Sequence, residues 1–220
     1  MVLTCIAWTG WIVCRLTIGG MCAKPDLAEN FDTSLYLGRW YQMYVAKNVP
    51  FQDSDCITAT YADKDGTNIQ VDNQSYKISD GKLSNWDGTP PNGKPKRYFV
   101  AHCSDFTTGH CQVKPFWFNP WNDYKIVGFD PDPVNGYSIV YGCDTFIGGA
   151  IKLDWVWIIT RSALEINSAA WSSIKTKTFD IFRDKLPQPH YDPDTFFKDT
   201  IQGTSNGCVY TPCTGKEVGL

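Results

Sequence analysis

The chain has 220 residues, and its 20 Lys and Arg stand against 23 Asp and Glu, for a formal charge of -3. That balance supplies no field to attract a polyanion, so nucleic acid and polybasic attachment to a membrane surface are set aside. Hydrophobic residues make up 43% of the chain and aromatic ones 15%, which is material for a single folded domain rather than a disordered segment. Nine Trp, 11 Tyr and 12 Phe exceed what an ordinary core of this size needs, and part of that aromatic surface is expected to line a ligand space.

Nine cysteines match no paired C-x-x-C zinc signature, which points to an oxidising compartment. Residues 1–21 read as a signal peptide: Val2, Leu3, Ile6, Ala7, Trp8, Trp11, Ile12 and Val13 form an apolar run, with small residues at Gly19, Gly20 and Ala23. The run lacks a basic leading region and is followed by Arg15, so a buried N-terminal helix stays open as the alternative. A membrane span needs about 18 or more apolar residues, and no segment of the mature chain offers them. Gly19-Gly20-Met21 is a poor context for lipid attachment at Cys22. Residues 22–220 are then the folded domain with a C-terminal extension.

In chain order, strands are predicted over 39–48, 55–64, 67–78, 96–104, 111–118, 123–130, 136–144 and 152–161, where β-branched and aromatic residues alternate between turn-forming clusters. Asp65-Gly66 tolerates the positive φ of a tight hairpin turn. Residues 79–95, rich in Gly, Pro, Asn and Asp, read as one long loop. A single helix is predicted over 168–186, with Trp171, Ile174, Thr178, Ile181 and Phe182 on one face, Asn167 as N-cap, and Pro187 beyond its end. The remainder is rich in Pro, Gly and polar residues and is expected to wrap the outside.

Eight strands in meander order predict an all-β, antiparallel up-and-down barrel with one C-terminal helix packed outside, because closure pairs every strand edge; a sandwich is the alternative. In the last strand Trp155, Trp157, Ile159 and Arg161 share one face and Val156, Ile158 and Thr160 the other. Both faces are largely apolar, as expected with a cavity on one side and the helix on the other.

Gly38-Arg39-Trp40-Tyr41, preceded by Asn30-Phe31-Asp32, resembles the lipocalin family, whose first strand opens with Gly-x-Trp. Asp55-Cys56-Ile57 with Ala59 and Tyr61, then Phe116-Trp117-Phe118, the run from Tyr124 to Asp130, the run from Tyr137 to Cys143, and Trp157-Ile158-Ile159-Thr160-Arg161 are similar to the apolipoprotein D-like and bacterial lipocalin-like subgroup. The resemblance covers about residues 22–212. Residues 79–95 and the Cys103/Cys111 pair depart from it. It implies structural roles for Gly38, Trp40 and Arg161, with Trp40 plugging the closed end and Arg161 lying over it. It further implies disulfides from Cys22 to Cys143 and from Cys56 to Cys208, preferred over Cys213, leaving Cys103 to pair with Cys111. Cleavage after Ala23 would instead remove Cys22 and free Cys143, which could re-pair with Cys213.

Candidate ligand-binding residues are Trp157, Trp155, Tyr137, Tyr124, Phe118, Phe116 and Phe99, each with a competing reading as an ordinary core or surface aromatic. Trp157 leads, because the subgroup places a Trp at the matching pocket position. Gly203-Thr204-Ser205-Asn206-Gly207 spells G-x-S-x-G, but no His follows it to complete a triad. His102-Cys103 and His110-Cys111 have metal-ligand types, and a disulfide is the preferred reading. Asn73-Gln74-Ser75 is an N-glycosylation acceptor in a secreted chain.

The expected function is that of a secreted, extracellular carrier, not an enzyme, for a small hydrophobic ligand such as a fatty acid, sterol, retinoid, carotenoid or tetrapyrrole. No cofactor and no metal site are expected, and the sequence does not set the oligomeric state. The alternatives are a lipocalin-fold isomerase or de-epoxidase, which needs an ionisable group inside the barrel, and a protein-binding module using residues 79–95.

Overall fold

The computed structural model describes residues 17–18, 21–47, 49, 54–85, 99–103, 105, 107–114, 121–146 and 151–211, with the backbone alone at 17, 18, 146 and 151. Most of the expected signal peptide, Phe116, Phe118, Cys213 and residues 86–95 lie outside the described residues. The elements are β1 (Thr17–Ile18), α1 (Thr33–Tyr36), β2 (Gly38–Ala46), β3 (Thr58–Asp63), β4 (Asn68–Lys77), β5 (Lys82–Asn85), β6 (Phe99–Cys103), β7 (His110–Lys114), β8 (Asn122–Asp130), β9 (Tyr137–Phe146), β10 (Ile151–Thr160), α2 (Ala169–Lys185), α3 (Pro193–Phe196) and β11 (Phe197–Asp199).

Strands β2, β3, β4, β6, β7, β8, β9 and β10 pair antiparallel in that order. The last then pairs with the first, Trp157 opposite Val45 and Thr160 opposite Tyr41, so the sheet closes into an eight-stranded barrel. All eight strands expected from the sequence are present. Residues 79–95 are not one loop throughout: Lys82–Asn85 forms β5 and pairs with β4, Gln74 opposite Asn85 and Lys77 opposite Lys82, prolonging that hairpin beyond the barrel wall. Gly81, at φ +63°, supplies the left-handed turn between them.

The N-cap of α2 is Ser168, whose side chain accepts from the Trp171 N–H, one residue beyond the expected Asn167. Its buried stripe is Trp171, Ile174, Thr178, Phe179 and Phe182; Phe179 belongs to it, and Ile181 is only half-buried at its edge. This stripe packs on the outward side chains of the barrel, among them Val127, Ile139, Val156 and Ile158. A Cβ at Gly128 would lie 2.8 Å from Ile139 and 3.3 Å from Ile181, so helix and barrel approach this closely only over a glycine.

The C-terminal extension contains structure that the sequence pattern did not show. After α3, β11 pairs with β2, Phe197 opposite Ala46, and the chain then reaches Cys208. Disulfides join Cys22 to Cys143, Cys56 to Cys208 and Cys103 to Cys111, the pairs that the resemblance implied. They close 121, 152 and 8 residues respectively. By chain entropy the long Cys56 bridge should be worth about 5 kcal/mol and the Cys103 bridge about 2.5 kcal/mol. A Cys56→Ala/Cys208→Ala variant is therefore expected to lose more stability in denaturant titration than Cys103→Ala/Cys111→Ala.

Candidate functional site: a barrel cavity with an aromatic wall

The closed end is built from the chain entering the barrel. Asp32 caps α1 by accepting from the Ser34 N–H, and Gly38, at φ +97°, turns the backbone into β2 in a conformation that a residue with a Cβ rarely adopts. Trp40 then points inward, fully buried, with its indole N–H donating to Tyr36 O at 2.8 Å. The Arg161 guanidinium lies 3.8 Å from the Trp40 ring centroid and donates to the carbonyls of Leu35, Leu37 and Arg39. Stacking of this kind contributes about 0.5 to 2 kcal/mol. Phe31, Tyr36 and Phe129 fill the rest of the plug, Phe31 and Phe129 edge-to-face and Tyr36 tilted against both.

Above the plug the barrel is hollow, with a cavity of about 640 Å³. Inward positions carry small residues, Ala59, Ala101 and Gly142, and so leave unfilled the width that eight strands enclose. One wall is apolar and aromatic: Phe99, Val113, Tyr124, Val140, Trp155, Trp157 and Ile159. Gln42, Asn73, Gln74, Ser75, Ser84 and Asn85 bring amide and hydroxyl groups to the other wall. Charged residues on the lining are Lys77, Asp80, Lys82, Asp123 and Asp144. Lys77 pairs with Asp80 at 3.3 Å, and Asp123 with Lys125 at 2.7 Å. Burial would raise the Asp123 carboxyl, but hydrogen bonds and charge from Lys125 and His110 outweigh it and hold it below the usual carboxylate range. Asp144 is pushed up by burial and by the neighbouring Asp123 charge.

The floor is a hydroxyl cluster. Tyr124 OH lies 2.6 Å from Tyr61 OH and 2.8 Å from Tyr36 OH. Burial lifts all three phenols above their ordinary range, and mutual repulsion among the ionised forms adds to this at Tyr36 and Tyr124.

Apolipoprotein D of Bos taurus is 33% identical over 146 residues, 65% of this chain and 67% of that protein. The chain belongs to the lipocalin family. Outer membrane lipoprotein Blc of Citrobacter freundii is 26% identical over 165 residues, 68% of this chain and 86% of that protein. Lobster apocrustacyanin A1 is similar in structure, with a TM-score of 0.62 at 20% identity, covering 88% of this chain and 95% of that one, a likeness of fold. No family model matches the chain.

Of the aromatics expected at the site of this lipocalin, Phe99, Tyr124, Trp155 and Trp157 are brought together on one wall. Tyr137 is not: it shares the outward face of β9 with Ile139 and Tyr141 and packs in the core beneath α2. Both faces of β9 are apolar, so alternation alone could not say which one looks inward. Asn73, the expected glycan acceptor, lies on the cavity lining between Val71 and Ser75, and its buried Oδ1 has no hydrogen-bond partner among the described residues.

Tyr61, Gln42, Val71 and Asn73 were missed as lining residues. The period-two pattern that places Ala59 and Tyr61 on one face of β3 was present in the sequence, but nothing there identified that face as the inner one. Asp154 lies outside the barrel, where it accepts from Tyr191 at 2.7 Å and pairs with Lys152 at 2.9 Å. Ser205 sits in a 3-10 turn, Thr204–Asn206, and donates to Glu165, without the strand-turn-helix setting of a nucleophile elbow. Among the described residues no three His, Cys, Asp or Glu side chains group as metal ligands, and no helix is long and apolar enough to cross a membrane.

Because the folded protein disfavours tyrosinate at Tyr36, Tyr61 and Tyr124, the unfolded chain ionises first as pH rises through the ordinary phenol value of 10.0. Their contribution to stability is complete below that pH and is lost above it. Thermal melts combined with absorbance titration at about 295 nm should show these three phenols ionising only as the protein unfolds.

Proposed function

We propose that this lipocalin is a secreted carrier that holds a small hydrophobic molecule in its barrel cavity without transforming it. The observation that carries the reading is the 640 Å³ cavity with an apolar wall rich in aromatic residues over a sealed base. Apolar walls with a few placed polar groups are the usual form of a small-molecule site. The family membership supports it, and three disulfides are in keeping with an extracellular compartment. The wall residues Trp157, Trp155, Phe99 and Tyr124 are assigned to ligand contact, with Trp157 first.

Burial of about 300 Å² of apolar ligand surface yields roughly 7.5 kcal/mol, against association costs of about 4 kcal/mol or more. A rigid, preformed cavity keeps the remaining costs small, and affinities in the micromolar range or somewhat tighter are expected for several related ligands.

Mass spectrometry of an organic extract of the purified protein, with tryptophan-quenching titrations against a lipid panel, tests the carrier role. An unmodified hydrophobic ligand is the expected result, and turnover of any panel member would replace the carrier by an enzyme. Trp157→Ala should weaken binding about tenfold, the equivalent of roughly 1.4 kcal/mol, with little loss of folding. Unchanged affinity would take Trp157 out of the site.

A further inference from the structure

One carboxylate on the cavity lining has no cation to balance it. Asp80 pairs with Lys77 at 3.3 Å and also feels the charge of Lys82. Asp123 pairs with Lys125 and His110, at 2.7 and 3.5 Å. Asp144, half-buried on the same lining, makes no hydrogen bond or ion pair with any described residue. Burial, and then the negative charge of neighbouring Asp123, push its carboxyl up, and no cation among those residues offsets them.

The pleat of β9 turns Asp144 inward. It follows Val140 and Gly142 at a spacing of two, both on the lining, whereas Tyr141 and Cys143 between them pack outside the barrel in the core beneath α2. In the ladder with β10, Val140 lies opposite Trp157, Gly142 opposite Trp155 and Asp144 opposite Leu153. Asp144 is thus the diagonal neighbour of Trp155 on one inner face, at a separation of about 7 Å, on the side away from the closed end. Gly142 brings no side chain to stand between them.

A carboxylate without a cation beside indole rings suits one kind of ligand end. An anionic head would be repelled by Asp144 and Asp123 together. A hydroxyl would gain a hydrogen bond and nothing from the rings. An ammonium can donate to a carboxylate and still lie within about 6 Å of an indole centroid, so both attractions act on it at once.

From this arrangement we infer that Asp144 and Trp155 form a subsite for a cationic nitrogen, at which the protonated amine of a hydrophobic ligand meets the carboxylate while its apolar body lies along Trp157 and Phe99. The inference rests on the carrier reading and narrows it to hydrophobic amines.

Calorimetric titration near neutral pH with 4-phenylbutylamine, 4-phenylbutanol and 4-phenylbutyrate tests it. These probes share an apolar body and end in a cation, a neutral group and an anion. The unaltered full chain should bind the amine most tightly. Asp144→Asn should weaken the amine about tenfold, in line with a charge-assisted hydrogen bond, and leave the alcohol unchanged. Asp184→Asn, on the exposed side of α2, removes the same charge far from the cavity and should change neither. An amine that binds the unaltered chain no better than the alcohol overturns the subsite, as does an equal loss of amine and alcohol in Asp144→Asn. An Asp184→Asn variant that weakens the amine as much as Asp144→Asn does would reduce the effect to net charge and overturn it too. Binding of the alcohol without preference for the amine leaves the carrier reading standing, whereas failure of the three probes and of the whole lipid panel brings down both.

Discussion

The pairing of β10 with β2 is the constraint from which the other features descend. A sheet of eight strands closed on itself has no free edge along the ring, and its diameter is then set by strand number and tilt rather than by the side chains inside. Whether such a barrel is solid or hollow depends on which residues the pleat turns inward at each level. At the base Trp40 of β2 turns inward, and Tyr36 and Phe31 from the segment entering the barrel fill the width beside it. Higher up Ala59, Ala101 and Gly142 face in, and the aromatic side chains of β10 have space before them instead of a packing partner.

The elements outside the barrel hold this arrangement in place. Helix α2 covers the outward faces of β8, β9 and β10, and the disulfides fasten the entering and leaving segments to the wall, Cys22 to β9 and Cys208 to the chain just before β3. A polar network lies between the same layers. Asp154 receives Tyr141 and Tyr191 and faces Lys152, while Tyr141 in turn accepts from the Ala23 N–H. A buried carboxylate is tolerable there because its lone pairs are met by hydroxyls and an ammonium, and removal of one partner from such a cluster is far more costly than replacement of the whole. Asp154 and Lys152 thus keep their charges outside the barrel, whereas the charged side chains of the lining come from the β4–β5 hairpin and, at Asp123 and Asp144, from β8 and β9.

The two walls of the cavity have different chemistry because they come from different strands. Indole and phenyl rings arrive from β6 and β10, whereas amide and hydroxyl side chains arrive from β2, β4 and β5.

Strand positions and the helix were legible in the sequence, since period-two and helical alternation and the Asp65-Gly66 turn are local patterns set by local sterics, whereas the plug was legible only through the resemblance that Gly38-Arg39-Trp40 carries. For β10 the alternation put Trp155, Trp157, Ile159 and Arg161 on one face, and it was the resemblance that singled out Trp157 as a pocket residue. For β9 and β4 the pattern was silent: Tyr137 and Val140 are both apolar, and nothing local distinguishes the side beneath a helix from the side facing a cavity. The place of Asn73 on the cavity lining was likewise not a local property of the sequence. The β5 strand hid among turn-forming residues, and its existence depends on pairing with β4. The amino-acid order by itself determined which segments are extended, where they turn and which cysteines were available to be joined. Only closure of the ring decided which face of each strand looks inward, and so brought Tyr36, Tyr61 and Tyr124 from three separate segments to one floor, because a hydroxyl cluster spanning 88 residues of chain is a product of strand register and not of sequence spacing.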